Sequence, residues 1–135
     1  MVSFQERDLT RTRTRTRSVP PTPVVTRSMG WMIDALRAAG LTPDLGEQTA
    51  SILCDAGLSV EGAAATGSAG SAASVMPEYM EGCVRSLLPA VLAHGQVTEA
   101  EVDVDTVAER VARELKEAGA MCWSPELAAA WARVP

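Results

Sequence analysis

Few residues of this chain could act as nucleophiles or soft metal ligands: Cys54, Cys83, Cys122 and a single histidine, His94. The cysteines lie 29 and 39 residues apart. A structural zinc site needs four N or S ligands in closely spaced pairs, and the chain has no C-x-x-C pair. Three widely separated cysteines read instead as reduced thiols, mostly buried. One histidine leaves little beyond a Cys–His dyad for nucleophilic catalysis. His94 stands in Ala93-His94-Gly95 at an expected helix end, where an imidazole ordinarily faces the last carbonyls or water.

The remaining clusters have plainer readings. Glu99, Glu101, Asp103, Asp105 and Glu109 crowd one stretch, but without the D-x-[DN]-x-[DN]-G spacing of a calcium loop. They suit the solvated, dipole-compensating start of a helix. Thr66-Gly-Ser-Ala-Gly-Ser-Ala-Ala-Ser74 is Gly-rich, yet no Lys follows and neither phosphate-binding glycine pattern is present, so a solvent-facing loop is expected. Met76, Tyr79 and Met80 share one side of an expected helix. Such a stripe is ordinarily core, but thioethers and a ring also adapt to flat organic ligands. With Trp31 they form the candidate substrate-binding set: Trp31, Met76, Tyr79 and Met80.

The elements that must position these groups follow from composition and pattern. The 135 residues are about one domain's worth, and 47% apolar content suits a chain with a core. Twelve basic residues against seventeen acidic ones argue against a dedicated nucleic-acid binder. No apolar run is long enough to span a membrane, and the charged N-terminus lacks a secretory pattern, so a cytoplasmic location is expected. Charge is uneven: residues 1–27 carry six arginines and two acids, whereas residues 28–135 carry six bases and fifteen acids. The basic excess lies in the Thr/Arg alternation of residues 10–17. Residues 10–22 read as a basic and Pro-rich linker after a first strand within 1–9.

From Pro23 onward a helical period takes over. Val25, Met29, Met32, Ile33 and Leu36 form one stripe of a helix at about 22–39, with Thr22 as its expected cap. Asp44-Leu-Gly-Glu47 opens a second helix, and residues 58–66 alternate as a strand. A long helix is expected over about 75–94, kinked by Pro89, and another over 104–118 after the capping-box pattern Thr98-Glu-Ala-Glu101. Ala120–Trp123 reads as a strand. Propensity makes Leu127-Ala-Ala-Ala-Trp-Ala-Arg133 helical.

Five segments carry a resemblance: Pro20-Pro-Thr-Pro-Val-Val-Thr-Arg-Ser-Met-Gly-Trp-Met32, Ala35-Leu-Arg-Ala-Ala-Gly-Leu-Thr-Pro-Asp-Leu-Gly46, Leu53-Cys-Asp-Ala-Gly-Leu58, Gly95-Gln-Val-Thr-Glu-Ala-Glu-Val102 and Ser124-Pro-Glu-Leu-Ala-Ala-Ala-Trp-Ala-Arg133. Together they resemble the C-terminal half of class I S-adenosylmethionine-dependent methyltransferases of bacterial small-molecule metabolism. The resemblance implies an α/β fold, a truncated Rossmann-like half of about three strands with four helices, residues 23–135 forming its α/β region. In the family's strand order 3-2-1-4-5-7-6, the chain would supply strands 5, 7 and 6 at about 2–7, 127–133 and 58–66. It therefore makes the last segment a strand, against propensity. The family's cofactor site lies in the other half, so S-adenosylmethionine is implied only by the resemblance and no cofactor is expected on this chain alone. The expected function is a methyltransferase-like fragment, part of a split or degenerate enzyme and inactive by itself. The alternative is a non-catalytic small-molecule-binding or partner-binding protein. Strand 5 would lack its outer neighbour, which implies a homo-oligomer or a partner chain carrying the missing half.

Overall fold

The computed structural model describes residues 1–9 and 18–134, and the Thr/Arg alternation of residues 10–17 lies outside them. Among the described residues the protein is mixed α/β. Strand β1 (Val2–Asp8) is followed by the short β2 (Ser18–Val19), helix α1 (Pro23–Ala38) and helix α2 (Leu45–Asp55). Then come β3 (Ser59–Thr66), the short β4 (Ala69–Gly70) and the long helix α3 (Met76–His94). One turn of helix, α4 (Glu99–Val102), a 3-10 turn (Val104–Thr106) and α5 (Val107–Ala118) lead to β5 (Met121–Trp123) and β6 (Glu126–Arg133).

The strands form two antiparallel three-stranded sheets. In the larger one the order is β1-β6-β3, so the last strand of the chain lies between the other two. Phe4 stands opposite Ala130, and Ala63 opposite the same residue from the other side. Along β6, Glu126, Ala128, Ala130 and Ala132 are buried, while Leu127, Ala129 and Trp131 are half-buried. This period of two is that of a strand. Helical propensity alone therefore misreads Leu127–Arg133: pairing on both edges satisfies the backbone that a helix would otherwise satisfy internally. Of the second sheet, β2-β5-β4, the sequence pattern anticipates only β5, within the expected strand Ala120–Trp123. Ser18 and Thr22 are buried and bonded through their hydroxyls at 2.8 Å, so residues 18–22 are an ordered part of the fold rather than linker.

Two apolar clusters result. The larger is helical, with Val25, Met29 and Met32 of α1, Met80 and Val84 of α3, and Val107, Val111 and Leu115 of α5. Cys122 of β5 closes it. The stripes on α1 and α5 are those the spacing predicts. Helix α3 runs through Pro89, which has no N–H to give the preceding turn. It ends at Gly95, whose φ of 75° suits a residue without a Cβ. The smaller cluster lies under the larger sheet, where Leu53 of α2 meets Ala130 and Ala132, with Val2, Phe4 and Val60 against them.

The helix starts depart from the expected caps. Thr22 and Asp44 sit at the N-cap positions of α1 and α2, but neither side chain caps. Carboxylates from distant elements do so instead. Glu114 accepts from the Val24 N–H at 2.9 Å, and the buried Asp8 accepts from the Glu47 N–H at 2.8 Å. Each places negative charge at the positive end of a helix dipole. The predicted capping box at Thr98 does form, but on the single turn α4 rather than on the longer helix after it. The backbone N–H and hydroxyl of Thr98 hold the Glu101 carboxyl below its usual pKa.

Helix α2 can reach β1 only because position 46 is glycine. A Cβ there would lie 2.8 Å from Asp8 Cβ, 3.0 Å from Asp8 N and 3.1 Å from Glu6 O, and two of these are backbone atoms. Gly82, in the middle of α3, has open space around its Cβ position. Chemical denaturation is expected to show opposite signs for the two alanine substitutions. Gly46→Ala should lose about 1–3 kcal/mol by overpacking, and Gly82→Ala should gain about 0.5–1 kcal/mol of helix propensity.

Candidate functional site

The four residues singled out from the sequence fall into two environments. Met76 and Met80 are 4% and 0% exposed inside the helical cluster. They are core, which is the plainer reading of a thioether stripe. Trp31 and Tyr79 are half-buried at the edge of the same cluster.

Tyr79 joins the helical part to the larger sheet. Its hydroxyl accepts from Arg7 Nη1 at 2.9 Å, and the Arg7 guanidinium lies 5.6 Å from the centre of its ring. Arg7 is on β1 and Tyr79 in the first turn of α3, so the contact ties elements far apart in sequence. Cation and ring attract one another across this junction. Burial pushes the phenol up to about 12, Cys83 beside it adds to the rise, and Arg7 opposes it. Tyr79 is thus a neutral hydrogen-bonding group across the physiological range.

The cysteines and the histidine are dispersed. All three thiols are free, with Cys54 exposed, Cys83 half-buried and Cys122 buried. Burial raises Cys122 to about 11, which keeps it a thiol rather than a thiolate. The expectation of mostly buried thiols therefore holds fully for Cys122 alone. His94 closes α3 and lines a cleft of about 240 Å³ walled otherwise by alanines of α1 and α3 and by Ala39. No cysteine lines that cleft. Among the described residues no group of three or more His, Cys, Asp or Glu side chains is placed to hold a metal ion.

Two positions bear on whether the chain could hold a nucleotide-type cofactor, and neither fits. The helix start nearest the end of β1 is that of α2, and its Glu47 N–H is already taken by Asp8. Leu9, which follows β1, donates its N–H to Pro43 O at 2.8 Å. The glycine-rich segment 66–74 is equally filled from within, since the Ser74 side chain occupies the space over Gly70. Ser74 Oγ accepts from the Met76 N–H at 3.1 Å. These amides serve the fold and are not presented to a phosphate or carboxylate.

A second opening was not foreseen. A groove of about 850 Å³ runs between α5, the Ser71–Ala73 segment and the start of β5. Only the absence of large side chains at Ala72, Ala73 and Ala112 marks it in the sequence. Among the described residues no helix is long and apolar enough to cross a membrane. The fold and these openings define a mixed α/β protein with two small antiparallel sheets. No protein-family model, curated protein or solved structure matches the chain.

Tyr79 is the sole tyrosine, so its ionisation can be followed without overlap from another phenol. Absorbance at 295 nm is expected to titrate with a midpoint near 12 rather than the ordinary 10. Because the folded pKa is raised, the stabilisation from the neutral phenol is fully present below pH 10 and is lost as pH rises through 12. A midpoint at the ordinary value would mean that the phenol is not buried beside Cys83 in solution.

Proposed function

We propose that the chain is a methyltransferase-like fragment: the rear portion of a Rossmann-like sheet, without the cofactor-binding portion, from a split or degenerate small-molecule methyltransferase. One observation supports this most directly. The sheet order β1-β6-β3 puts the last strand of the chain between the first and the third. That is the arrangement of strands 5, 7 and 6 in the resembled family, at Val2–Asp8, Glu126–Arg133 and Ser59–Thr66. A simple meander would have joined neighbours in chain order. The propensity of Leu127–Arg133 points to a helix, so its strand state is a feature that the resemblance anticipates and local sequence does not.

The chemistry of the residues sets the role. In this reading the chain does not hold S-adenosylmethionine by itself, which the internal use of the Glu47 and Met76 amides supports, and no methyl-transfer step runs through it alone. Its contribution is structural, as the half that completes a sheet and flanks an acceptor. In that role β1 is an edge strand, paired on one side by β6 and on no other side among the described residues. Its residues alternate between half-buried and exposed up to Asp8. An edge of this kind recruits another strand, from a partner carrying the missing portion or from a second copy.

Two measurements test the reading. Calorimetry of the isolated chain with S-adenosylmethionine is expected to show no binding, and tight binding would overturn the assignment of the cofactor site to another portion. Sedimentation is expected to show self-association that weakens when Ser3 and Gln5, on the exposed face of β1, are both replaced by lysine. A stable monomer at all concentrations, with or without the lysines, would remove the argument from the open edge.

A further inference from the structure

We propose that the groove beside α5 binds an amphipathic carboxylate, an unbranched acyl chain bearing one negative charge. This rests on the walls and rim of the groove and is independent of any methyltransferase origin. The volume of about 850 Å³ is that of a small-molecule site, not of a protein interface. Its walls are the methyl groups of Ala72 and Ala73 on one side and of Ala112 on the other, with Leu115, Ala120 and Met121 along the base. Walls of methyl groups leave a smooth channel that suits a thin chain better than a branched or polar one.

The apolar character continues beyond the groove. Met121 is 42% exposed, and Val19, opposite it in the small sheet, is 50% exposed. Trp123, two residues along β5, is also exposed. A bound alkyl chain would cover Met121, at the base of the groove, and continue towards this patch.

The rim supplies the sign of the charge. Arg113 and Lys116 both line the groove from α5, in a chain whose net charge is −5. Elsewhere Arg85 and Arg133 are paired with carboxylates at 2.7–2.9 Å, but among the described residues Arg113 and Lys116 have no such partner. Glu114, next to Arg113, is committed to the start of α1. Glu109 at the same rim leaves an excess of one positive charge. Lys116 also offsets the negative end of the α5 dipole, which leaves Arg113 as the rim cation not engaged at a helix end.

The test uses the full chain and decanoate, with decanol and decyltrimethylammonium as neutral and cationic counterparts, all below self-association. Calorimetry is expected to show one decanoate per chain, bound more tightly than either counterpart. The double variant Arg113→Gln/Lys116→Gln should weaken decanoate binding about fivefold, the scale of losing exposed charge pairs, while leaving decanol unchanged. Lys116 is the only lysine, so its acetylation should slow with decanoate present while that of the N-terminal amine does not. This readout needs no substitution. Absence of binding, equal binding of the cationic amphiphile, or an unprotected Lys116 would each overturn the proposal.

Discussion

The architecture depends on a single placement, that of β6 between β1 and β3. A strand paired on both edges has its N–H and C=O groups satisfied whatever its side chains prefer, and this sets the conformation of an alanine-rich segment that would otherwise coil into a helix. The small side chains serve the same end. Ala130 and Ala132 bring α2 close enough for Leu53 to touch them, and Gly62 leaves room for the Trp131 ring on the opposite face. The sheet cannot be complete until the last residues of the chain arrive. Everything between β3 and β6, including the longest helix, has to fold back without disturbing that gap. Such pairing is non-local and carries a larger loop-closure cost than the helical contacts beside it.

A second constraint follows from the first. With β1 on one flank of β6, the start of α2 must come down on the end of β1, where there is space for a backbone but not for a Cβ. Gly46 provides the space and the Asp8 carboxylate provides the charge at the helix start. The Arg7–Tyr79 contact lies one residue away in sequence and attaches the same strand end to α3. Adjacent residues at the end of β1 thus hold the two apolar clusters in register, one through a buried carboxylate and the other through a guanidinium on a phenol.

What the sequence discloses and what it hides divide along the same line. Periodic stripes such as Val107, Val111 and Leu115 are local, so the helices are legible to within three residues. So are the glycine ends of α3 and α5, because the conformation they allow is a property of one residue. The caps are not. Thr22 and Asp44 have the right chemistry at the right place, yet the bonds go to Glu114 and Asp8, which lie far away in the chain. The strand state of Leu127–Arg133 is invisible to propensity, because it is set by pairing with β1 and β3. In the second sheet β5 is legible, but β2 and β4 have two residues each, too few for any alternation to register. The candidate site divides likewise. Met76 and Met80 satisfy a helical stripe and are core, whereas the groove is made by what α5 and the Ser71–Ala73 segment leave empty between them, and no single segment encodes that.

The two clusters are unequal, and the inequality bears on function. The helical one is built from large side chains on three helices, whereas the buried apolar cluster under the sheet comprises Leu53, Ala130 and Ala132. Apolar stabilisation scales with the area removed from water, so the alanine-rich sheet contributes less per residue than the helices. Local stability should therefore be lowest in the strands, and lowest of all at β3, whose residues are mostly exposed. A sheet in that condition has the most to gain from an added strand. Each new backbone pair at β1 would shield an edge already fixed at its far end by Asp8 and Arg7. Association there would stabilise the weaker part of the molecule without requiring the helical part to move. In the proposed reading, the small core beneath the sheet thus argues for a partner as much as the open edge beside it.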